Sequence, residues 1–113
     1  MKQITETELK NILDQHSLWI RTVSAEGTRA NLEGVDLEGA NLEGADLFDA
    51  YLEGANLKDA SLYEANLVDA YLYLANLEGA HLVGANLRGA NLEGANLRGA
   101  NLRGANLEAV DLR

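Results

Sequence analysis

A chain of 113 residues without cysteine or proline and with a net charge of −9 has the size of one domain, forms no disulfide and offers no thiolate to a metal. Its acid excess argues against direct nucleic-acid binding, which requires a basic face. No stretch approaches the roughly 18 apolar residues of a membrane span, and no basic segment followed by an apolar run opens the chain, so the cytoplasm is the expected location.

The first element in chain order is a helix predicted over residues 5–23. Thr5 and Glu8 stand three apart, as a capping box requires. Leu9, Ile12, Leu13, His16, Trp19, Ile20 and Val23 come next at helical spacing and form one apolar stripe. Gly27 is a plausible break after it. The helix is read as a lid over the first turn of the segment beyond residue 29, with Leu9, Ile12, Leu13, Trp19 and Ile20 as its packing residues. His16 and Trp19 lie on or beside the stripe, so packing is a better reading for them than a binding site. The domain division is therefore a helical cap over 1–29 and a repeat over 30–113.

From Ala30 the chain repeats every five residues, with leucine at each fifth position from Leu32 to Leu112 and Ala or Val two positions earlier. A period of five fits neither a helix nor a strand. It demands a short extended segment followed by a turn, with Ala and Leu on one side. The intervening Asn or Asp is expected to face outward and Gly to take the corner, where positive φ is tolerated. Short strict periods are the mark of solenoids.

The units Ala-Asn-Leu-Glu-Gly, Ala-Asp-Leu-Phe-Asp and Ala-Asn-Leu-Arg-Gly resemble those of the pentapeptide repeat family. The segment Leu18-Trp19-Ile20 with Glu26 to Leu32 resembles the helical lead-in of bacterial members, of cyanobacterial type. The resemblance covers residues 30–113. It implies an all-β solenoid, a right-handed quadrilateral β-helix of about four coils with an N-terminal α-helical cap. Four repeats to a coil place residues twenty apart above one another. Leu32, Leu52, Leu72, Leu92 and Leu112 then form one core ladder, in a rod roughly 20 Å long at about 4.8 Å per coil.

Under that stacking, Glu38, Lys58, Glu78 and Arg98 make a column of alternating sign, read as a stabilising face. Departures from the repeat concentrate between residues 48 and 83. They put Phe48, Tyr51, Val68, Tyr71, Tyr73 and Leu74 on one side of the rod, with Tyr51 stacked beneath Tyr71. An outward apolar cluster rich in tyrosine reads as a surface for a protein partner, set against the plainer reading of aromatic stacking that stiffens the ladder. Acidic charge is uneven too, since residues 30–69 hold ten acids against Lys58 alone.

No catalytic constellation is visible. His81 beside Ser61 suggests a nucleophile and base, but a convex rod offers them no water-excluding pocket. No cofactor or metal is expected. The favoured function is a non-catalytic interaction scaffold with an unidentified protein partner. The resemblance also implies an alternative, because some family members mimic duplex DNA and bind DNA gyrase; the acidic first half fits that reading, while the neutral second half and the short chain oppose it. A purely structural accessory role is the third. Leu107 and Leu112 would leave an apolar end with open strand edges, so either a second molecule docks there or the natural chain continues further; of the two, an end-to-end homodimer through the C-terminal coil is favoured.

Overall fold

The computed structural model describes residues 1–113 and has one helix, α1, spanning Glu6–Arg21. Thr5 caps it as the spacing foretold: its hydroxyl accepts the Glu8 amide at 3.0 Å and the Glu8 carboxylate accepts the Thr5 amide at 2.9 Å. α1 stops two residues earlier than predicted. Val23 and Ser24 adopt left-handed φ values of 54° and 70°, and the Ser24 amide donates back to the Trp19 carbonyl. Val23 therefore leaves the apolar stripe and is 88% exposed. Gly27 does not break the helix. It lies against it, since a Cβ there would collide with the Gln15 carbonyl and the Trp19 amide.

Beyond residue 29 the backbone coils with a period of twenty residues. Asn31 bridges Tyr51, Tyr51 bridges Tyr71, Tyr71 bridges Asn91 and Asn91 bridges Asp111, all parallel, and the other three sides repeat the pattern. Four pentads thus make one coil. From Leu32 to Leu92 the leucine amide of each pentad donates to the coil above, as Leu72 does to the Asn91 carbonyl at 2.8 Å. The residue before it donates to the coil below, as Tyr71 does to Ala50 at 2.9 Å. No segment is long enough to count as a strand: each side contributes a single bridging residue before the chain turns. The expectation of an all-β chain is corrected to that extent. Five residues must include a corner, which leaves too few for a longer ladder.

Each corner is closed by a bond from the next pentad's first amide to the leucine carbonyl three residues earlier, as from Ala75 to Leu72 at 3.0 Å. The residue at the third turn position has positive φ throughout, as a type II turn requires. Ten of these sixteen positions are glycine; the others are Asp49, Asp59, Glu64, Asp69, Leu74 and Ala109.

The Asn or Asp before each leucine does more than face outward. Its Oδ1 accepts the amide two residues on, for instance Asn76 from Glu78 at 3.0 Å and Asp36 from Glu38 at 3.1 Å. Some also reach the next rung, as Asn66 Nδ2 does to Asp46 at 3.1 Å. The side chain buttresses the turn and its neighbour, which explains why the repeat demands this residue type. Tyr51, Ser61, Tyr71 and His81 lack such a turn bond.

The core is a column of Leu, Ala and Val from the repeat alone, with Leu32, Leu52, Leu72 and Leu92 at 0–1% exposure. Leu112 does not join it and is 62% exposed. No rung of this chain stacks on the last coil, so its leucines have a lower neighbour only. At the other end, Ile4, Leu9, Ile12 and Leu13 pack on the core. Trp19 and Ile20, expected with them, are half-buried and stand outside that cluster, because α1 meets the coil through its first three turns. The opening residues also add a rung unforeseen from sequence: Lys2 bridges Val35, its carbonyl accepting the Asp36 amide at 2.7 Å.

Leu72→Ala should lower stability by about 2–5 kcal/mol, the cost of a cavity in a close-packed column. Leu112→Ala, at the exposed end, should cost under about 1 kcal/mol. Urea unfolding followed by far-UV circular dichroism checks both, and equal losses would contradict the burial gradient.

Candidate functional site

The departures from the repeat meet on the side built from the Leu52 and Leu72 rungs. Tyr51 and Tyr71, on adjacent coils, have ring centroids 5.3 Å apart and planes tilted by 38°. Arg29 closes over them. Its guanidinium carbon sits 3.9 Å from the Tyr51 centroid, 5.4 Å from that of Tyr71 and 5.6 Å from Trp19. Nε donates to the Asp49 carbonyl at 2.6 Å, and Nη2 lies 2.9 Å from Asp49 Oδ1. That second contact is an ion pair without hydrogen-bond alignment, so Nη2 is buried with no hydrogen-bond partner, as is Glu53 Oε1. Burial, with a smaller push from Glu33, holds the Glu53 carboxyl above its ordinary range.

Sequence reasoning passed over Arg29. A signal was present: Arg29 lies twenty residues before Asp49, so carrying the stacking rule one unit upstream of the repeat would have paired them. The consequence for the surface is large. Arg29 covers Tyr51, which is half-buried, as are Phe48 and Val68. The exposed members of the cluster are Tyr71, Tyr73 and Leu74, at 39%, 41% and 56%. Leu74 occupies a turn position at φ 58° and lies over the α-carbon of Gly94 one coil up. Tyr63, 41% exposed, belongs to a different corner.

Other expected features do not form. The column Glu38, Lys58, Glu78 and Arg98 makes no ion pair; Glu38 accepts from Asn56 and Glu78 from Asn96, both at 3.4 Å. Exposed ion pairs gain too little to hold long side chains together, whereas the Asn ladder is already fixed in place. His81 is exposed and makes no side-chain bond with Ser61. The largest concavity, about 670 Å³, lies away from the aromatic side, between α1 and the first coil, where Leu9, Leu13 and Leu37 meet Glu6, Asp36 and Glu38.

Comparison with known proteins accords with this geometry. The sequence profile of the family described as pentapeptide repeats matches residues 28–62, 40–79 and 75–113, in eight copies. The chain belongs to the pentapeptide repeat family. Among solved structures it is similar to a pentapeptide repeat protein from Nostoc Pcc 7120, at 34% identity and a TM-score of 0.71, covering 92% of this chain and 75% of that one. It is also similar to a pentapeptide repeat protein of the Arabidopsis thaliana thylakoid lumen, at 34% identity and a TM-score of 0.50, over 72% of this chain and 63% of the other. Trypsin-treated QnrB1, a plasmid-mediated fluoroquinolone resistance protein, aligns at 20% identity with a TM-score of 0.38 over 80% of this chain and 49% of its own; that likeness carries no functional argument. No curated protein matches the chain. The relatives make the coil described above a right-handed β-helix solenoid.

Within this pentapeptide-repeat protein, His16 joins α1 to the solenoid. It is fully buried, stacked on Trp19 with centroids 5.5 Å apart. Its Nδ1 accepts the Ala30 amide and its Nε2 reaches the Phe48 carbonyl, both at 2.8 Å. These partners specify a neutral ring protonated at Nε2, because Nδ1 must keep its lone pair for an N–H. Burial lowers its pKa, outweighing the bond to Phe48 and the attraction of Asp46. The role is structural, and it explains how a polar residue stands on an apolar stripe.

Because the unfolded chain binds a proton that the folded His16 refuses, its contribution to stability is complete above the ordinary histidine value of 6.5. It is lost as pH falls from there through the lowered folded value. Thermal melts between pH 7.5 and 5 should show the midpoint falling, with Trp19 fluorescence reporting release of α1, and a flatter profile in His16→Gln. Identical slopes for the two proteins would remove His16 as the cause.

Proposed function

We propose that this protein is a non-catalytic cytoplasmic scaffold that docks a protein partner through Tyr71, Tyr73 and Leu74, with Phe48, Tyr51 and Val68 as the half-buried base of that surface. One observation carries the reading. Leu74 is held at positive φ, where a branched side chain costs about 1–2 kcal/mol relative to the right-handed region, while 56% of it faces solvent. Glycine serves at ten equivalent positions. A bulky residue kept strained and exposed is explained by contact rather than by folding. Tyr71 adds to this, since it replaces the Asn that would bond the turn amide.

A second reading, mimicry of DNA toward a gyrase-like enzyme, draws on the ten acids of residues 30–69. That segment makes two coils, about 10 Å at 4.8 Å each, or the length of some three phosphate steps at 3.4 Å. The track is too short to imitate a duplex site, so the scaffold reading is favoured. Unchanged gyrase supercoiling in the presence of excess protein would dispose of mimicry. A second copy is also proposed to meet the last coil, where Leu107 and Leu112 are exposed at 41% and 62%; sedimentation velocity at high micromolar concentration should then show a dimer.

Leu74→Gly separates contact from folding. It should raise stability by about 1 kcal/mol through relief of strain and yet reduce partner recovery in affinity capture. Tyr71→Ser combined with Tyr73→Ser should abolish recovery while circular dichroism stays unchanged. Full recovery by both variants would end the scaffold reading.

A further inference from the structure

We propose that Asp69 and Tyr71 form a seat for an arginine side chain of the protein partner, matching the seat that Asp49 and Tyr51 provide for Arg29 within the chain. The inference rests on the reading of Tyr71, Tyr73 and Leu74 as a contact surface, and it adds the chemistry of what that surface recognises.

The repeat supplies the argument. Tyr51 and Tyr71 bridge each other on successive coils, and Asp49 and Asp69 each precede their tyrosine by two residues at nearly equal φ, 61° and 56°. The backbone of the upper pair is the lower one translated by a coil. On the lower pair a guanidinium lies flat enough to sit 3.9 Å above the ring while pairing with the carboxylate at 2.9 Å. On the upper pair no side chain of this protein does both: Arg29 comes only to 5.4 Å from the Tyr71 centroid and pairs with Asp49 rather than Asp69. Asp69 makes no ion pair, and its Oδ1 turns over the α-carbon of Gly89 instead. Arg88, on the adjoining face one coil up, faces Glu108 at 3.9 Å. Tyr71 remains 39% exposed and Asp69 is exposed as well.

Occupation requires a change of rotamer at Asp69, which an exposed side chain makes readily. Arg29 lies one rung below with the same charge as the incoming group, but Asp49 is already paired with it. Glu93, one coil above Tyr73, is already faced by Arg113, so Asp69 is the carboxylate of the upper seat left without a cation. A guanidinium suits it better than an ammonium. Its plane stacks on a tyrosine while its edge still reaches a carboxylate, which a point charge on a flexible stem does less well.

The test titrates the intact protein with a capped Gly-Gly-Arg-Gly-Gly peptide at millimolar concentration, alongside the lysine and citrulline counterparts, following the Tyr71 ring and Asp69 amide by NMR. The arginine peptide should shift both, the lysine peptide several-fold more weakly, and the uncharged citrulline peptide should leave them in place. Asp69→Gly and Tyr71→Asn each install the residue the repeat itself prefers, so both fold, and each should weaken the arginine peptide about threefold, the scale of an exposed cation–π contact. Equal shifts from the arginine and citrulline peptides, or an Asp69→Gly protein that binds as wild type, would overturn the seat. Should the tyrosine-to-serine variant lose its partner while the arginine peptide leaves Tyr71 untouched, the contact surface stands and the arginine seat falls. Arginine-peptide binding with partner recovery unaffected by those serines would show a seat that the partner does not use, overturning the proposal together with the surface reading.

Discussion

The molecule depends on the rung, the set of backbone hydrogen bonds that ties each pentad to the pentad twenty residues later. A leucine amide reaches up and the preceding amide reaches down, as at Leu72 and Tyr71, so nearly every buried backbone group is satisfied without a strand of ordinary length. The corner makes this possible by turning the chain within one pentad. Leucine then points to the axis at every step, and the core becomes a column one side chain deep. Inserting a single residue would shift every later side chain off its column, much as a register slip does in a sheet.

A column of this kind has two ends and no natural limit, and the chain treats its ends differently. At the first coil, α1 brings Leu9, Ile12 and Leu13 onto the core, while Lys2 supplies one more rung. His16 locks the two parts together through backbone atoms of Ala30 and Phe48. At the last coil, burial falls away from Leu92 to Leu112. Stability is therefore graded along the rod, as expected where each unit touches only its neighbours.

The proposed contact surface lies where the repeat is broken in side chain but kept in backbone. Tyr51 and Tyr71 give up the Asn bond to the turn, and Leu74 accepts a left-handed conformation, yet the rungs beneath them are unchanged in length. A scaffold that does not respond to its surface residues can present aromatic and charged groups at fixed spacing. Arg29 shows what such spacing selects, since a cation from outside the repeat finds both a ring and a carboxylate there.

Much of this was legible in the residues. The five-residue rhythm named the leucine column, the Thr5–Glu8 spacing named the start of α1, and the resemblance named the coil and its hand, because all three are local or strictly periodic signals. Tyr51 above Asn31 and below Tyr71 came from counting by twenty. What only tertiary structure decided were contacts between parts with no common period. His16 satisfied by Ala30 and Phe48, Lys2 joined to Val35 and Arg29 laid over Tyr51 all connect the non-repeating first 29 residues to the coil, while Gly27 pressed against Gln15 folds that segment back on α1. Periodicity dictates geometry only within the repeat; where it ends, side-chain reach and burial choose the partners, and those exist only once the chain has folded.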